Sequence, residues 1–254
     1  MGIGVKMRVI GVIPSRIGST RLERKPLIEI HGIPMIIHVY KRAAMSDALD
    51  ELFVATDSDE IRELVEFNGG NVIMTSESHK NGTERVAEVA TKVEGDVFVC
   101  IFGDEPMLDP EHIGISVSTL TRSGSDASIL GVEFQKLDSY SDVKMVVNDK
   151  SEVMYLSRQD IPFNKSGTSS GMIKAYHLLS FTKNCLSEFA RLGKSNLEII
   201  EDIEHLRLLE NGFRISSSIV ESDSISLDTE DDLDYINMRM EDDLIRLKYS
   251  NNWA

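Results

Sequence analysis

The sequence predicts a doubly wound α/β fold, because short apolar segments alternate with amphipathic helical segments along the first half of the chain. A second observation is the length of 254 residues with 41% hydrophobic residues, which fits one large domain or two small ones and suffices for a sizeable core. We expect a single domain over residues 1–254. A third is a change of pattern near residue 127, where predicted strands follow one another without long helices. We therefore expect a mostly parallel sheet with helices on both faces and an antiparallel insertion.

The first half of the chain is predicted to begin with a strand. This strand is the apolar run Met7–Ile13, which ends at Pro14 and is followed by a loop to Lys25. A helical pattern begins at Pro34, a residue whose fixed φ suits a first helical turn. The alternation then continues with strands at Glu51–Ala55, Asn71–Met74 and Val97–Phe102 and with helices at Asp59–Phe67, Thr83–Val93 and Pro110–Arg122.

The second half of the chain is predicted to start with strands alone. They are Ala127–Phe134, Val143–Val147 and Glu152–Leu156. The polar segment Asn164–Gly171 is predicted to be a loop because it is rich in serine, glycine and asparagine. Beyond it we expect helices at Ser180–Leu192 and Leu197–Glu210, a strand at Phe213–Val220 and a final amphipathic helix at Glu230–Lys248.

Charge and cysteine content exclude several classes of protein. The formal net charge is −15, which disfavours binding to nucleic acid or to anionic membranes. No apolar stretch reaches the roughly 20 residues of a membrane span, and the first residues lack the apolar region of a signal peptide. We therefore expect a cytoplasmic protein. Cys100 and Cys185 form no CxxC pattern, which argues against a disulfide scaffold or a structural zinc site.

A basic loop follows the first predicted strand. Residues 14–26 combine small residues with cations that include Arg16, Arg21 and Lys25. Ligands of open α/β sheets bind beyond the carboxyl ends of the strands, and a loop with free backbone N–H groups and cations can wrap a polyphosphate. The loop contains neither GxxxxGK(S/T) nor GxGxxG, so ordinary ATPases and dinucleotide-binding enzymes are not favoured. The alternative is a solvated basic loop.

Two acidic residues are candidate metal ligands. Asp104 follows a very apolar strand and can hold Mg²⁺, which prefers carboxylate oxygens. Alternatively, Asp104 and Glu105 form a turn or cap the next helix. Asp228 precedes the last predicted helix, and a capping-box pattern there favours a plain N-cap role for Asp228 or Thr229. No GxSxG or HExxH motif occurs, which argues against serine hydrolases and zinc proteases.

A set of short motifs carries a more specific indication. In chain order they are Pro14–Arg16, Lys25–Leu27, His31–Ile36, Val54–Asp57, Met74–Thr75, Gly82–Arg85, Gly103–Pro106, Leu156–Phe163, Leu197–Arg207 and Leu227–Asp231. Their order and spacing resemble those of the CMP-KDO synthetases, the 3-deoxy-manno-octulosonate cytidylyltransferases. The resemblance extends over about residues 7 to 240.

The resemblance implies a fold, a reaction and partners. The fold would be Rossmann-like, of the nucleotide-diphospho-sugar transferase type. The enzyme would join CTP to the anomeric hydroxyl of an acidic sugar, releasing pyrophosphate, with Mg²⁺ as cofactor and as a homodimer. The antiparallel region, roughly residues 127–176, would supply acceptor contacts and, around residues 143–163, subunit contacts.

The resemblance also implies roles for individual residues. The catalytic set would be Arg16, Lys25, Asp104 and Asp228, of which Asp104 and Asp228 would bind Mg²⁺. The nucleotide-binding residues would be Pro14, Ser15, Arg16, Arg21, Lys25, Asn81, Gly82, Thr83, Arg85 and Asp104. The acceptor-binding residues would be Arg158, Ser170, Lys174, Tyr176, Glu204 and His205.

Four positions depart from the family pattern. Ser170 stands where a histidine is usual, Lys174 where a tyrosine is usual, His205 where a glutamine is usual, and Phe102 replaces a glutamine before Gly103. The motifs for CTP and Mg²⁺ are thus better kept than those for the sugar. The acceptor can be KDO, its 8-amino form, another ulosonic acid or a phosphonate. A non-catalytic nucleotide-binding relative is the other alternative, which is disfavoured because all four members of the catalytic set are present.

Overall fold

A computed structural model of the protein describes residues 6–18, 22–167 and 171–250. The strands are β1 Val9–Ser15, β2 Glu29–Ile30, β3 Ile33–Pro34, β4 Glu51–Thr56, β5 Val72–Met74, β6 Val97–Ile101, β7 Ala127–Phe134, β8 Lys144–Val147, β9 Val153–Ser157, β10 Met172–Thr182 and β11 Ile215–Ile219. The helices are α1 Met35–Ala43, α2 Asp59–Phe67, α3 Gly82–Lys92, α4 Pro110–Ser123, α5 Lys183–Arg191, α6 Asn196–Glu201, α7 Leu206–Glu210, α8 Glu230–Met240 and α9 Leu244–Ser250. A 3₁₀ turn covers Lys25–Leu27.

The central sheet has the order β11-β7-β10-β6-β1-β4-β5. Strand β1 pairs in parallel with β4 on one side and with β6 on the other, so the strand order reverses between β1 and β6. In an open α/β sheet such a switch point opens a crevice at the carboxyl ends of the strands. The end of β1 and the turn after β6 approach each other closely here, since a Cβ atom on Gly103 would lie 3.0 Å from the carbonyl oxygen of Pro14.

Both faces of the sheet are covered by helices, as the doubly wound prediction requires. Along β6, Phe98 and Cys100 pack into one core with residues of α3 and α5. Val99 and Ile101 point the other way, into a second core with residues of α1 and α4. The alternation follows from the period of two residues in a strand. The Rossmann-like α/β class predicted from the sequence is confirmed.

The antiparallel insertion is present, but its main strand was not predicted. Strand β10 lies between β6 and β7 and runs antiparallel to both, and β8 and β9 extend the sheet from it. The predicted helical start at Ser180 is therefore wrong. The strand continues to Thr182, whose hydroxyl accepts a hydrogen bond from the Cys185 N–H and caps α5.

Two predicted helices are each broken into two. The helix predicted at Leu197–Glu210 ends at Glu201, because Asp202 adopts a left-handed conformation with φ 53°. The predicted final helix splits into α8 and α9, and Leu244 at the start of α9 is 76% exposed. The capping box before α8 is confirmed, with Thr229 as the N-cap residue. No helix in the described part of the chain combines the length and apolar character needed to cross a bilayer.

Candidate active site

A cavity of about 440 Å³ opens at the carboxyl ends of the strands. Its wall combines the loops after β1 and β6, the start of α3, strand β10, the break between α6 and α7, and the segment before α8. It brings together most of the predicted site residues, namely Pro14, Ser15, Arg16, Lys25, Asn81, Gly82, Arg85, Asp104, Arg158, Tyr176, Glu204, His205 and Asp228. Thr83 and Lys174 are not part of the wall. The predicted residues Arg21 and Ser170 lie outside the described residues.

Lys25 joins the two predicted metal ligands. Its Nζ donates to Asp104 Oδ2 at 2.7 Å and to Asp228 Oδ1 at 2.9 Å. Burial alone would lower the pKa of Lys25, but the two carboxylates outweigh it, so the pKa lies above its usual value. Two acids from distant parts of the chain thus converge on one point, and Asp228 does not cap α8.

The same two carboxylates fit a magnesium ion that also contacts substrate phosphate. Within the described ranges, no group of three or more His, Cys, Asp or Glu side chains is arranged to hold a metal. Mg²⁺ commonly uses only one or two carboxylates and takes its other ligands from phosphate oxygens and water. Asp104 Oδ1 is buried without a hydrogen-bond partner in the described structure, which leaves a lone pair for such an ion.

The start of α3 forms another part of the cavity wall. The Asn81 side chain accepts a hydrogen bond from the Glu84 N–H at 2.8 Å and caps the helix. One turn on, Arg85 is 3% exposed and donates to Asp57 Oδ2 at 2.8 Å and Thr75 Oγ1 at 2.5 Å. These bonds hold its guanidinium in one position at the cavity, as specific recognition of a base or ribose requires.

Thr83 holds another site residue instead of lining the cavity. Its backbone N–H donates to Glu204 Oε1 at 3.0 Å, and its hydroxyl donates to the same oxygen. The direct nucleotide contact predicted for Thr83 therefore has no support in this geometry. Thr83 contacts Glu204 because it lies in the first turn of α3, where free backbone N–H groups attract a carboxylate.

Glu204 is a carboxyl group that titrates near neutral pH. Burial raises its pKa to about 7, against the hydrogen bonds from Thr83 that lower it. His205 Nε2 lies 3.7 Å from Glu204 Oε1, and the His205 ring stacks on Phe181 with 6.4 Å between ring centroids. Both residues face the cavity because the helix break at Asp202 turns the chain towards it.

We expect the raised pKa of Glu204 to appear as a pH-dependent loss of stability. Folding raises this pKa from 4.5 to about 7, so the unfolded chain releases the proton at lower pH than the folded chain. Relative to Glu204→Gln, which cannot ionise, the wild type should lose about 3 kcal/mol of unfolding free energy as the pH rises from 4.5 to 7. Urea unfolding of both proteins at about pH 5 and about pH 8 measures this difference. If the difference in unfolding free energy between the wild type and Glu204→Gln is the same at both pH values, the raised pKa of Glu204 is contradicted.

Arg158 offers a positive charge at the cavity wall. Its Nε donates to the Glu201 carbonyl oxygen at 2.9 Å, and its Nη2 donates to the Asp202 carbonyl oxygen at 2.9 Å. Carbonyl oxygens orient the guanidinium, and the exposed carboxylate of Asp202, 3.6 Å from Nη2, offsets only part of its charge. The guanidinium therefore remains able to bind a carboxylate. Sequence reasoning missed Glu201, whose carboxylate fixes this segment by accepting from the Arg158 N–H and the Ser157 hydroxyl. No local motif marks it.

Lys174 and Tyr176 are oriented differently from the expectation. Lys174 lies 3.3 Å from Asp142 Oδ1 and 5.7 Å from the ring centre of Phe134. The Tyr176 ring is 2% exposed and packs edge-on against His112. The Lys174 side chain points away because neighbours of Ala175, which lines the cavity, point to the opposite face of the strand. Tyr176 still contributes to the cavity wall, but its ring belongs to the second core. The Lys174 ammonium group is therefore not at the cavity wall.

Lys80 is a cation at the cavity wall that the sequence analysis did not predict. Lys80 is exposed, precedes the cap of α3 and lines the cavity together with His79. Together with Arg16, which is also exposed, it gives the cavity wall two exposed cations from separate segments. A basic residue next to the Gly82–Arg85 motif is the signal that could have found it. Two exposed cations at the cavity wall suit a polyanionic ligand.

This chain is similar to known cytidylyltransferases. The model of the cytidylyltransferase family matches residues 10–218. The 3-deoxy-manno-octulosonate cytidylyltransferase of Chlorobium phaeobacteroides is 36% identical over 237 residues, covering 91% of this chain and 96% of the relative. The 8-amino-3,8-dideoxy-manno-octulosonate cytidylyltransferase of Shewanella woodyi is 37% identical over 242 residues, covering 92% and 99%. The solved structure of CMP:2-keto-3-deoxy-manno-octonic acid synthetase complexed with CTP matches with a TM-score of 0.86 and 32% identity, covering 92% of this chain and 98% of that one.

Proposed function

The chain belongs to the cytidylyltransferase family, and we propose that it transfers CMP from CTP to the anomeric hydroxyl of an acidic sugar, releasing pyrophosphate. The observation that carries the proposal is the convergence of Lys25, Asp104 and Asp228 at the switch point of the sheet. Two carboxylates that can share one metal ion, together with a lysine of the basic loop, suit a metal–triphosphate complex.

The reaction needs positioning and charge neutralisation. The acceptor hydroxyl attacks the α-phosphorus in line, the bond from this phosphorus to the bridging oxygen breaks, and pyrophosphate leaves. Arg16 and Lys25 bind the triphosphate and offset its charge, while the wall from Asn81 to Arg85 holds the cytidine. Asp104 and Asp228 would hold the Mg²⁺, which when bound neutralises phosphate charge and lowers the pKa of a nearby hydroxyl.

The acceptor end is suited to a small acid with polar substituents. Arg158 supplies the cation for a carboxylate, and Glu204 supplies a group that hydrogen-bonds a hydroxyl or, when ionised, pairs with an amine. KDO and 8-amino-KDO both satisfy this chemistry, and relatives of each kind are similar to this chain. His205, which lines the cavity and departs from the family pattern, leaves another ulosonic acid or a phosphonate as the second candidate acceptor.

Pyrophosphate release with CTP and Mg²⁺ tests the proposed function. The panel is KDO, 8-amino-KDO, other ulosonic acids and small phosphonates, with ATP, GTP and UTP replacing CTP as controls. We expect turnover with CTP on at least one ulosonic acid. Turnover on KDO would mean that the changed pocket residues are tolerated, whereas turnover on another acid alone would assign them to specificity. CTP binding without turnover on any acid would contradict the proposal.

The oligomeric state and the location of the protein are also part of the proposal. We propose that the chain forms a homodimer through the antiparallel region, where Met154 is 62% exposed and Phe163 is 90% exposed, since exposed apolar side chains mark contact surfaces. A monomeric mass in light scattering would contradict this. Because CTP is an intracellular nucleotide, the proposed location is the cytoplasm.

A further inference from the structure

The placement of Asp228 depends on contacts with another part of the chain. Asp228 belongs to the stretch between the end of β11 at Ile219 and the start of α8 at Glu230, which contains neither helix nor strand. A segment without its own ladder of backbone hydrogen bonds must be fixed by other groups. Where those contacts fall decides whether the carboxylate of Asp228 faces Asp104.

Glu105 supplies two of these contacts. Its Oε2 accepts from the Ser224 hydroxyl at 2.6 Å, and its Oε1 accepts from the Ser226 hydroxyl at 2.7 Å. A backbone bond from the Leu227 N–H to the Asp104 carbonyl oxygen, at 3.0 Å, joins the same two segments. The two oxygens of one carboxylate thus hold two alternate residues of the segment, two and four positions before Asp228.

Glu105 is a charged residue in a buried position. Glu105 is 3% exposed and Ser224 is 7% exposed. A buried carboxylate costs free energy unless charge-assisted hydrogen bonds satisfy it, and an apolar residue would fill this place at lower cost. Glu105 itself is fixed by the turn after β6, where its N–H donates to the Phe102 carbonyl oxygen at 3.3 Å.

We propose that Glu105 is a positioning residue, whose carboxylate clamps residues 224–226 so that Asp228 faces Asp104 across the distance that one cation spans. The clamp and the metal site share one turn, since Glu105 follows Asp104 directly. Groups that orient metal ligands in this way tune metal affinity although they do not touch the ion. The inference rests on the proposed function, because it assigns Glu105 a role in the same metal–nucleotide site.

Binding of CTP, measured by calorimetry in EDTA and in Mg²⁺, tests the clamp. The quantity of interest is the factor by which Mg²⁺ tightens CTP binding. Glu105→Leu should lower this factor by about tenfold while CTP affinity in EDTA changes by less than about twofold. Glu105→Gln should keep the factor within about threefold of the wild type, because an amide can still bond two hydroxyls. Glu111→Leu, at an exposed glutamate on α4, is the matched control and should change neither quantity.

Several results would overturn the proposal. The proposal fails if Glu105→Leu leaves the Mg²⁺ factor unchanged or if the Leu and Gln variants lower this factor equally. It also fails if Glu105→Leu lowers CTP affinity equally in EDTA and in Mg²⁺. If Glu105→Leu does not fold, Ser226→Ala takes its place, with an expected loss of about threefold in the factor, and no loss would overturn the clamp. A wild type without any effect of Mg²⁺ on CTP binding would instead refute the proposed function, and the clamp with it.

Discussion

Replacing Asp104 or Asp228 by asparagine is expected to lower kcat with CTP by about 1,000-fold, equivalent to about 4 kcal/mol of transition-state stabilisation. Each substitution keeps the size of the side chain but removes a negative charge from the point where the two carboxylates converge. An amide binds Mg²⁺ more weakly than a carboxylate, and it leaves the charge of the triphosphate less well balanced during the reaction.

Initial rates of pyrophosphate release over a range of Mg²⁺ concentrations measure this effect. The concentration of Mg²⁺ that gives half of the maximal rate should rise in both variants. Asp231→Asn is the matched control, because Asp231 is exposed in the first turn of α8, three residues after Asp228, and its rate should stay close to that of the wild type. Full turnover by Asp104→Asn or Asp228→Asn would remove the corresponding carboxylate from the proposed metal site.

Replacing Lys25 by methionine is expected to lower kcat/KM for CTP by about 100-fold and also to change the response of stability to Mg²⁺. The lysine is the cation that lies between Asp104 and Asp228. Without it the two partly buried carboxylates repel each other, which should cost about 2 kcal/mol of unfolding free energy without metal. Mg²⁺ alone should then stabilise the variant more than the wild type, because it replaces the missing ammonium group.

Thermal unfolding in EDTA and in Mg²⁺, without nucleotide, separates the two roles of Lys25. Lys150→Met, at an exposed lysine, controls for the loss of a positive charge and should behave like the wild type. Equal effects of Mg²⁺ on the Tm of the wild type and of Lys25→Met would contradict a shared position for the lysine and the metal. Undiminished kcat/KM for CTP would contradict the role of Lys25 at the triphosphate.

Most helices and strands followed from local patterns, and the exceptions have physical causes. The helix Asp59–Phe67 and the strand Ala127–Phe134 agree with the prediction to the residue. Strand β10 was missed because Lys174, His177 and Ser180 interrupt its apolar residues at intervals of three, so no strand-like alternation marks a strand that is covered on both faces. The break at Asp202 was missed because a non-glycine residue in the left-handed region has no reliable sequence signal.

The site was predictable where function is carried by motifs and unpredictable where it depends on long-range contacts. The cavity contains Arg16, Lys25 and Asp104 as the motifs implied. The local pattern at Asp228 favoured a cap, and Thr229 takes that role because its hydroxyl accepts from the Asp232 N–H. The contacts of Glu105 with serines about 120 residues away have no counterpart in any local pattern, so only the folded chain reveals them.

The most direct test of the proposed metal–nucleotide site is a crystal structure of the protein with CTP and Mn²⁺, an ion that accepts the same oxygen ligands as Mg²⁺. We expect an anomalous peak about 2.2 Å from a carboxylate oxygen of Asp104, from one of Asp228 and from a phosphate oxygen of CTP, with Lys25 Nζ moved onto the triphosphate. A metal bound by phosphates alone, with Lys25 still bridging the two aspartates, would contradict it.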